Sequence, residues 1–149
     1  MVSLHKKNQG FTIVELLIVI VVIGILATLV LVTFTGIQQK GRNSQRQTDI
    51  NALNSHVEAY YAQTGNYPTL ANLNDGTWRS TNMKGLDPEA LRDPKAPAAT
   101  TTLAGTTSST QYSYVPAPAS CDNSTTMCDS YTLEATLEGS TDKYTKKSN

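Results

Sequence analysis

Gly10-Phe11-Thr12-Ile13-Val14-Glu15 opens an apolar run that continues to Phe34, and within that run Glu15 is the only ionisable side chain. About two dozen such residues are enough to cross the hydrocarbon layer of a bilayer as a helix. Insertion scales put an acidic residue deep in a bilayer at roughly 2.5 to 3.5 kcal/mol, so a carboxylate near the start of the run calls for a partner. Glu15 is therefore a candidate functional residue.

Ahead of the run, residues 1–10 are polar and carry His5, Lys6 and Lys7. A positive flank holds its end of a membrane segment in the cytoplasm, which places the chain after the helix outside. An ordinary secretory signal has its small-residue cleavage site after a short apolar region. Here the order is reversed: Gly10 precedes the apolar run, and a cut there removes the basic leader but keeps the hydrophobic helix.

The string Lys7-Asn8-Gln9-Gly10-Phe11-Thr12-Ile13-Val14-Glu15-Leu16-Leu17-Ile18-Val19-Ile20 resembles the prepilin signature of type IV pilins and of the pseudopilins of type II secretion. The resemblance implies that a membrane peptidase cuts after Gly10 and methylates the new amino terminus at Phe11. It maps the family's acidic residue onto Glu15. It implies as partners the prepilin peptidase and methyltransferase, an inner-membrane assembly platform with a cytoplasmic ATPase, and copies of the chain itself in a helical homopolymer. The location it implies is a single pass of the cytoplasmic membrane, N-terminus inside, followed by an extracellular filament. Glu15 can be read as a tolerated polar residue, as a contact of the processing enzyme, or as the partner of a positive charge in an assembly. The resemblance favours the last two, with the carboxylate pairing the methylated amine of Phe11 in a neighbouring subunit. Loss of Lys6 and Lys7 with the leader leaves the remaining chain mildly acidic.

The apolar run has no helix stop. Gly24 and Gly36 are weak points of about 1 kcal/mol each relative to alanine, and no proline occurs before Pro68. Many type IV pilins have a proline in this half; here Val32 and its neighbours stand in its place. Beyond Gly36, Ile37, Ile50, Leu53, Val57, Tyr60 and Tyr61 recur on one stripe, while Lys40, Arg42, Arg46, Asp49 and Glu58 fall mostly on other faces. A helix from Phe11 to about Ala62 spans roughly 78 Å, more than twice a bilayer. In the resembled family such a helix packs its upper half on a small antiparallel sheet.

Thr64-Gly65-Asn66-Tyr67-Pro68-Thr69 ends the helix, with Gly65 as left-handed cap and Pro68 barring continuation. The same string resembles the segment after the helix in the major pseudopilin of type II secretion. Residues 70–98 read as irregular chain with one short helix, in which Asp87 caps Pro88-Glu89-Ala90-Leu91-Arg92. Leu70, Leu73, Trp78, Leu86 and Leu91 are its candidate core anchors. Residues 99–110, mostly Thr, Ser and Ala, read as a flexible surface loop.

Two strand signals follow. Residues 111–115 are rich in Tyr and Val, and Tyr131, Leu133, Ala135 and Leu137 alternate with Thr132, Glu134, Thr136 and Glu138. Strict alternation predicts one wet face and one buried face. Gly139-Ser140 is the turn into a last strand around residues 143–146. Cys121 and Cys128 lie close together in a chain whose C-terminal part is predicted to lie outside, which favours a disulfide over a metal or redox site. Its eight-residue loop is worth roughly 2.5 kcal/mol on the chain-entropy estimate. In many type IV pilins a disulfide closes a C-terminal loop.

Twelve Lys and Arg balance twelve Asp and Glu, so no basic excess supports nucleic-acid binding. The two histidines are His5, in the leader, and His56, which leaves no catalytic triad or multi-histidine metal site after cleavage. Carboxylates are scattered singly, so the chain is read as no enzyme. Asp122 and Asp129, with nearby hydroxyls, are weak candidate calcium ligands without a specific pattern; no cofactor is expected. Asn123-Ser124-Thr125 matches a glycosylation sequon.

The expected fold is α+β: a leader over 1–10, a long helix over 11–62 whose 11–34 part is the membrane and assembly segment, and a small domain over 63–149. The function implied is that of a structural subunit of a type IV pilus or pilus-like filament. The major pseudopilin of a type II secretion or competence system is the first alternative, and a monomeric membrane-anchored binding domain the second.

Overall fold

The structure, a computed structural model, describes residues 10–148. The leader ahead of Gly10 therefore lies outside the described residues. The chain divides into two compact units, Met1–Gln38 and Gln39–Asn149.

One helix, α1 (Ile13–Thr64, 52 residues), contributes to both units. It begins two residues later than the apolar run, because Thr12 caps it, and ends two residues beyond Ala62. There the Gly65 N–H donates to the Tyr61 carbonyl at 2.8 Å, and Gly65 takes a φ of 79°, the left-handed conformation that closes a helix. The helix is unbroken through Gly24, Gly36 and Gly41. In the first unit, the hydroxyls of Thr28 and Thr33 donate to the carbonyls of Ile25, Leu29 and Val30, so these polar groups cross the apolar stretch already bonded. The apolar side chains are open to the surroundings from Phe11 (80%) to Phe34 (55%) and Ile37 (67%). Length and hydropathy suit α1 to crossing a membrane.

The second unit is built where α1 turns amphipathic. Ile50, Leu53 and Val57 are buried beneath a three-stranded antiparallel sheet in the order β1 (Ser113–Ala117), β2 (Ser130–Thr136), β3 (Lys143–Lys147). The register pairs Tyr114 with Leu133 and Ala135 with Tyr144. Alternation along β2 does what its pattern predicts: Tyr131, Leu133 and Ala135 are buried, while Thr132, Glu134 and Thr136 are only half-buried. Truncating a buried leucine such as Leu133 to alanine costs about 2 to 5 kcal/mol. The first strand lies two residues later than the Tyr-rich stretch suggested, and it accommodates Pro116 because β1 is an edge strand.

Residues 70–98 differ from expectation. Two further short helices form, α2 (Leu70–Asn74) and α3 (Gly76–Asn82), in addition to the predicted turn at Pro88–Leu91 capped by Asp87. Thr69 forms a capping box with Asn72, and the Asp75 carboxylate accepts from the N–H groups of Thr77 and Trp78. Five and seven residues are too few to register as a period, so only the caps mark these helices. Of the expected anchors, Leu73 and Leu91 are fully buried, and Leu70, Trp78 and Leu86 pack partly against the core. The Thr- and Ser-rich loop is pinned rather than free. Leu103 is buried, both of its backbone groups bond the Asn74 side-chain amide at 2.8 and 3.0 Å, and Ala104 forms a bridge with Ser113.

Candidate functional site

The N-terminal site is local in origin. Thr12 stands three residues before Glu15, and the two form a reciprocal cap: the Thr12 N–H and hydroxyl donate to Glu15 Oε2 at 2.8 and 2.6 Å, while the Glu15 N–H donates to Thr12 Oγ1 at 3.2 Å. A T-x-x-E capping box ahead of an apolar run is a known start signal, and it was legible in the opening string. The arrangement gives the carboxylate two donors before any other chain is present. It also holds Glu15 about one turn from Phe11, on a segment where Gly10 and Phe11 are exposed. Gly10, Phe11 and Glu15 thus share one short, accessible stretch.

The second unit holds a charged cluster around Arg42 and Arg46, two of the helix residues expected to fall mostly on faces other than the apolar stripe. Arg46 is buried, and so is its partner Asp93: Nε and Nη2 of the guanidinium donate to the two carboxylate oxygens at 2.6 and 3.0 Å. The remaining nitrogen, Nη1, donates to Asn43 Oδ1 at 2.9 Å and to Glu138 Oε1 at 2.8 Å. Arg42 forks onto the same Glu138 with two bonds of 2.7 Å, and Lys95 approaches it at 3.4 Å. Asn43 completes the clamp, its amide bonding both the N–H and the carbonyl of Glu138 at 2.9 and 3.0 Å. The guanidinium beside it holds the Glu138 carboxyl well below the usual carboxylate range, at about 2, Arg42 contributing most and burial opposing. For Arg46, burial works to lower the pKa, but its bonds to Asp93 and Glu138 prevail and raise it. The charge on Arg46 is affordable in the interior because every donor nitrogen is matched.

Farther along α1, tyrosine hydroxyls from the sheet and the helix-following segment reach polar groups on the helix. Tyr112 donates to Asp49 at 2.8 Å, Tyr144 to Asn51 at 2.9 Å, and Tyr67 to Glu58 at 3.2 Å. The Tyr131 hydroxyl lies 2.7 Å from both Asn54 Oδ1 and Glu58 Oε1. Burial pushes Asp49 up to about 6, against the bond from Tyr112, and burial likewise raises Tyr112, Tyr114 and Tyr131. These tyrosines are packing and tethering groups.

Cys121 and Cys128 are joined, their Cα atoms 5.2 Å apart. Their loop is stitched to the chain after α1: Tyr67 N–H donates to the Cys128 carbonyl at 2.8 Å, and Asn123 bonds the Tyr67 carbonyl and the Cys128 N–H at 2.7 and 2.8 Å. Both ends of the Asn123 amide are thereby engaged, which argues against the sequon as a sugar site. Asp122 Oδ1 accepts from the N–H groups of Ser124, Thr125 and Thr126, and those backbone bonds lower its carboxyl to about 2. Asp129 accepts from the hydroxyl of its neighbour Ser130 at 3.0 Å. Both carboxylates serve the loop's own turns. Among the described residues, no three His, Cys, Asp or Glu side chains cluster as a metal site.

A family model described as the prokaryotic N-terminal methylation motif matches residues 5–31. The type IV major pilin protein PilA of Myxococcus xanthus is 33% identical over 68 residues, 46% of this chain and 31% of the pilin. The type II secretion system core protein G of Dickeya chrysanthemi is 35% identical over 66 residues, 44% of this chain and 43% of that protein. The corresponding protein of Klebsiella michiganensis is 38% identical over 91 residues, 61% and 62% of the two chains. The first two matches span less than half the length of those relatives. No solved structure matches. The chain carries the prokaryotic N-terminal methylation motif, and over part of its length it is similar to a type IV major pilin and to the core protein G of type II secretion systems.

Proposed function

We propose that this chain is a structural subunit of a type IV pilus or pilus-like filament, made as a precursor in the cytoplasmic membrane, cut after Gly10 and N-methylated on Phe11. The observation that carries the reading is an exposed apolar helix face from Phe11 to Phe34 whose single carboxylate, Glu15, is held one turn from Phe11. In a fibre these segments bundle centrally and the second units lie outside. Moving from lipid to such a bundle exchanges one apolar environment for another, so helix packing and polar contacts decide the outcome.

In this reading the carboxylate of Glu15 pairs with the methylated amine of Phe11 in a neighbouring copy. Two charges stranded in apolar surroundings gain from meeting, and removing one from such a pair typically costs about 3 to 5 kcal/mol. Processing requires a prepilin peptidase and methyltransferase, and extrusion requires a membrane platform driven by a cytoplasmic ATPase. The role is structural rather than catalytic.

Electron microscopy of sheared surface fibres, with mass spectrometry of their N-terminal peptide, tests the proposal. Fibres that begin with methylated Phe11 are expected; a protein found only in membranes with Met1 intact refutes it and leaves a monomeric anchored domain. A second reading, as the major pseudopilin of a secretion system, is favoured by the longer match to the Klebsiella core protein G, which covers 61% of this chain. Deletion of the gene distinguishes the two: loss of protein export without loss of surface fibres supports the pseudopilin.

A further inference from the structure

Among the described residues the buried charged side chains are Arg46, Arg79 and Asp93. Arg46 and Asp93 answer each other, whereas Arg79, at 9% exposure, forms no ion pair among the described residues. Its Nη1 donates to the Leu73 carbonyl and ties the end of α2 to α3, but Nε and Nη2 make no hydrogen bond there. Neither nitrogen is sealed in, because Asn66 Oδ1 is the one enclosed side-chain polar atom among the described residues that lacks a partner. Asp75, Asp87 and Glu89 stand on adjoining segments but are committed elsewhere. Asp75 accepts from the N–H groups of Thr77 and Trp78, Asp87 from that of Glu89, and Glu89 pairs with Arg92. A buried guanidinium without a counter-charge is costly, so an anion that reaches Arg79 is favoured.

Arg79 opens on a hollow of about 350 Å³ between α3 and the turn at Pro88. Ser80 and Lys84 line it with Arg79, and its other walls are apolar or lack a side chain, as at Gly76, Met83 and Leu86. Gly76 leaves the guanidinium accessible, since a Cβ there would stand 3.7 Å from Nη2. Lys84 is exposed and likewise forms no ion pair among the described residues. Two unanswered cations thus share one hollow, and no carboxylate lines it. A planar carboxylate matches the fork of a guanidinium with two parallel bonds.

Met83 and Lys84 also line a neighbouring hollow of about 400 Å³, whose other walls are His56, Ala59, Tyr60 and Gln63 of α1 and Thr81 and Asn82 of α3. Gln63, Thr81 and Asn82 donate to the carbonyls of Ala59, Thr77 and Trp78, which leaves their side-chain oxygens free to accept. The His56 ring and the Tyr60 hydroxyl make no hydrogen bond among the described residues. Groups that between them donate and accept suit the hydroxyls of a sugar ring. A bare phosphate or sulfate would use the two cations and leave this second hollow idle. Both hollows are of a size that holds small ligands.

We propose that the paired hollows bind a sugar acid. The carboxylate of a uronate sits between Arg79 and Lys84, and the adjoining ring of a uronate chain lies in the hollow of His56 and Tyr60. The inference goes beyond the filament reading and does not depend on it, since every residue named belongs to one second unit.

The test titrates the full chain in detergent with digalacturonate, followed by calorimetry and by the fluorescence of Trp78, which packs 5.0 Å from Tyr60. Binding at about 1 mM or tighter is expected, with the neutral disaccharide of galactose weaker by about tenfold or more. Lys84→Gln, at an exposed position, and Arg79→Gln, whose amide is able to keep the bond to the Leu73 carbonyl, should each weaken digalacturonate by about tenfold or more. Single galacturonate separates a free sugar acid from a chain as the source of the carboxylate: the dimer should bind more tightly, and His56→Ala should narrow that advantage. A dimer no tighter than the single sugar overturns the part given to the second hollow. A neutral disaccharide that binds as well as digalacturonate, inorganic phosphate that displaces it at equal concentration, or no binding at about 10 mM overturns the site. Should Arg79→Gln fail to fold, Lys84→Gln decides by itself, unchanged affinity overturning the proposal.

Discussion

Replacing Arg46 with methionine should be among the most damaging single changes in the second unit. The guanidinium is fully buried and Asp93, at 1% exposure, has no access to water when it is gone. Glu138 keeps Arg42 and Lys95, so Asp93 alone is stranded, retaining only the Lys95 N–H at 2.8 Å. Breaking a buried pair from one side costs about 3 to 5 kcal/mol, and the surviving bond to Asp93 places the expected loss near the lower end, about 3 kcal/mol. With a urea slope of about 2 kcal/mol per molar, the unfolding midpoint falls by about 1.5 M. Trp78, the chain's single tryptophan, packs 5.0 Å from Tyr60 and reports unfolding by its fluorescence in the full chain held in detergent. The discriminating variant is Arg46→Met with Asp93→Ser, which keeps an acceptor for Lys95 N–H but removes the stranded charge. It should regain at least half of the loss. A single variant that loses under about 1 kcal/mol, or a double variant no better than the single, refutes the reasoning that an uncompensated charge is the cause.

Glu15→Gln keeps a side chain able to complete the cap with Thr12 while removing the charge, and Glu15→Ala removes both. If pairing with the Phe11 amine drives assembly, neither forms fibres though both are cut after Gly10; abundant fibres from Glu15→Gln would show that the cap, not the charge, matters. Asn123→Asp turns a donor to the Tyr67 carbonyl into an acceptor and should cost about 1 to 3 kcal/mol in the same unfolding assay; mass spectrometry of the purified chain should find residue 123 without sugar. Asp49 has a folded-state pKa raised to about 6, so its contribution is fully present below the unfolded value of 3.8 and is lost as pH rises through about 6. Asp49→Asn should therefore match the parent at pH 3.5 and exceed it in stability at pH 7, and equal stability at both would contradict the burial of this carboxyl. Glu138 carries the opposite sign: its folded pKa of about 2 gives stability present above 4.5 and lost as pH falls through 2, so Glu138→Gln should cost stability at pH 7 and converge on the parent near pH 2 in the same urea titration.

The long helix, its glycine stop and the alternating β2 strand were legible because each is written as a period or a backbone constraint. Gly65 after an amphipathic stripe admits few readings, and Tyr131, Leu133 and Ala135 separated by polar residues admit one. The small helices α2 and α3 were not legible as periods, although Thr69 and Asp75 announced them as caps. Thr12 and Glu15 spell a capping box in the opening string, although an apolar run draws the eye to the charge of Glu15 rather than to its reach back to the helix start. Arg46 left no trace. A charged residue on an amphipathic helix reads as solvated unless its partners are known, and Asp93 and Glu138 lie 47 and 92 residues away. Such partners are chosen by the fold, not by local spacing. Asn43, Asn74 and Asn123 were hidden for the same reason, because a side-chain amide that bridges two backbone groups looks like any other asparagine in sequence.

The bonds from Arg42, Asn43, Arg46, Asp49, Asn51, Asn54 and Glu58 give α1 a phase. Each is met by a group fixed elsewhere in the second unit, so a single residue inserted between Gly41 and Tyr61 would turn the side chains beyond it by about 100° relative to those before it. The clamp at Glu138 and the hydroxyls of Tyr112, Tyr144 and Tyr131 could not then all find their partners. In the apolar half, the side-chain bonds of Thr12, Glu15, Thr28 and Thr33 reach no farther than four residues, and an added residue elsewhere in that half would leave those local patterns able to re-form. The same helix is thus intolerant of insertion where it carries the sheet and indifferent to it, as an isolated helix, where it does not.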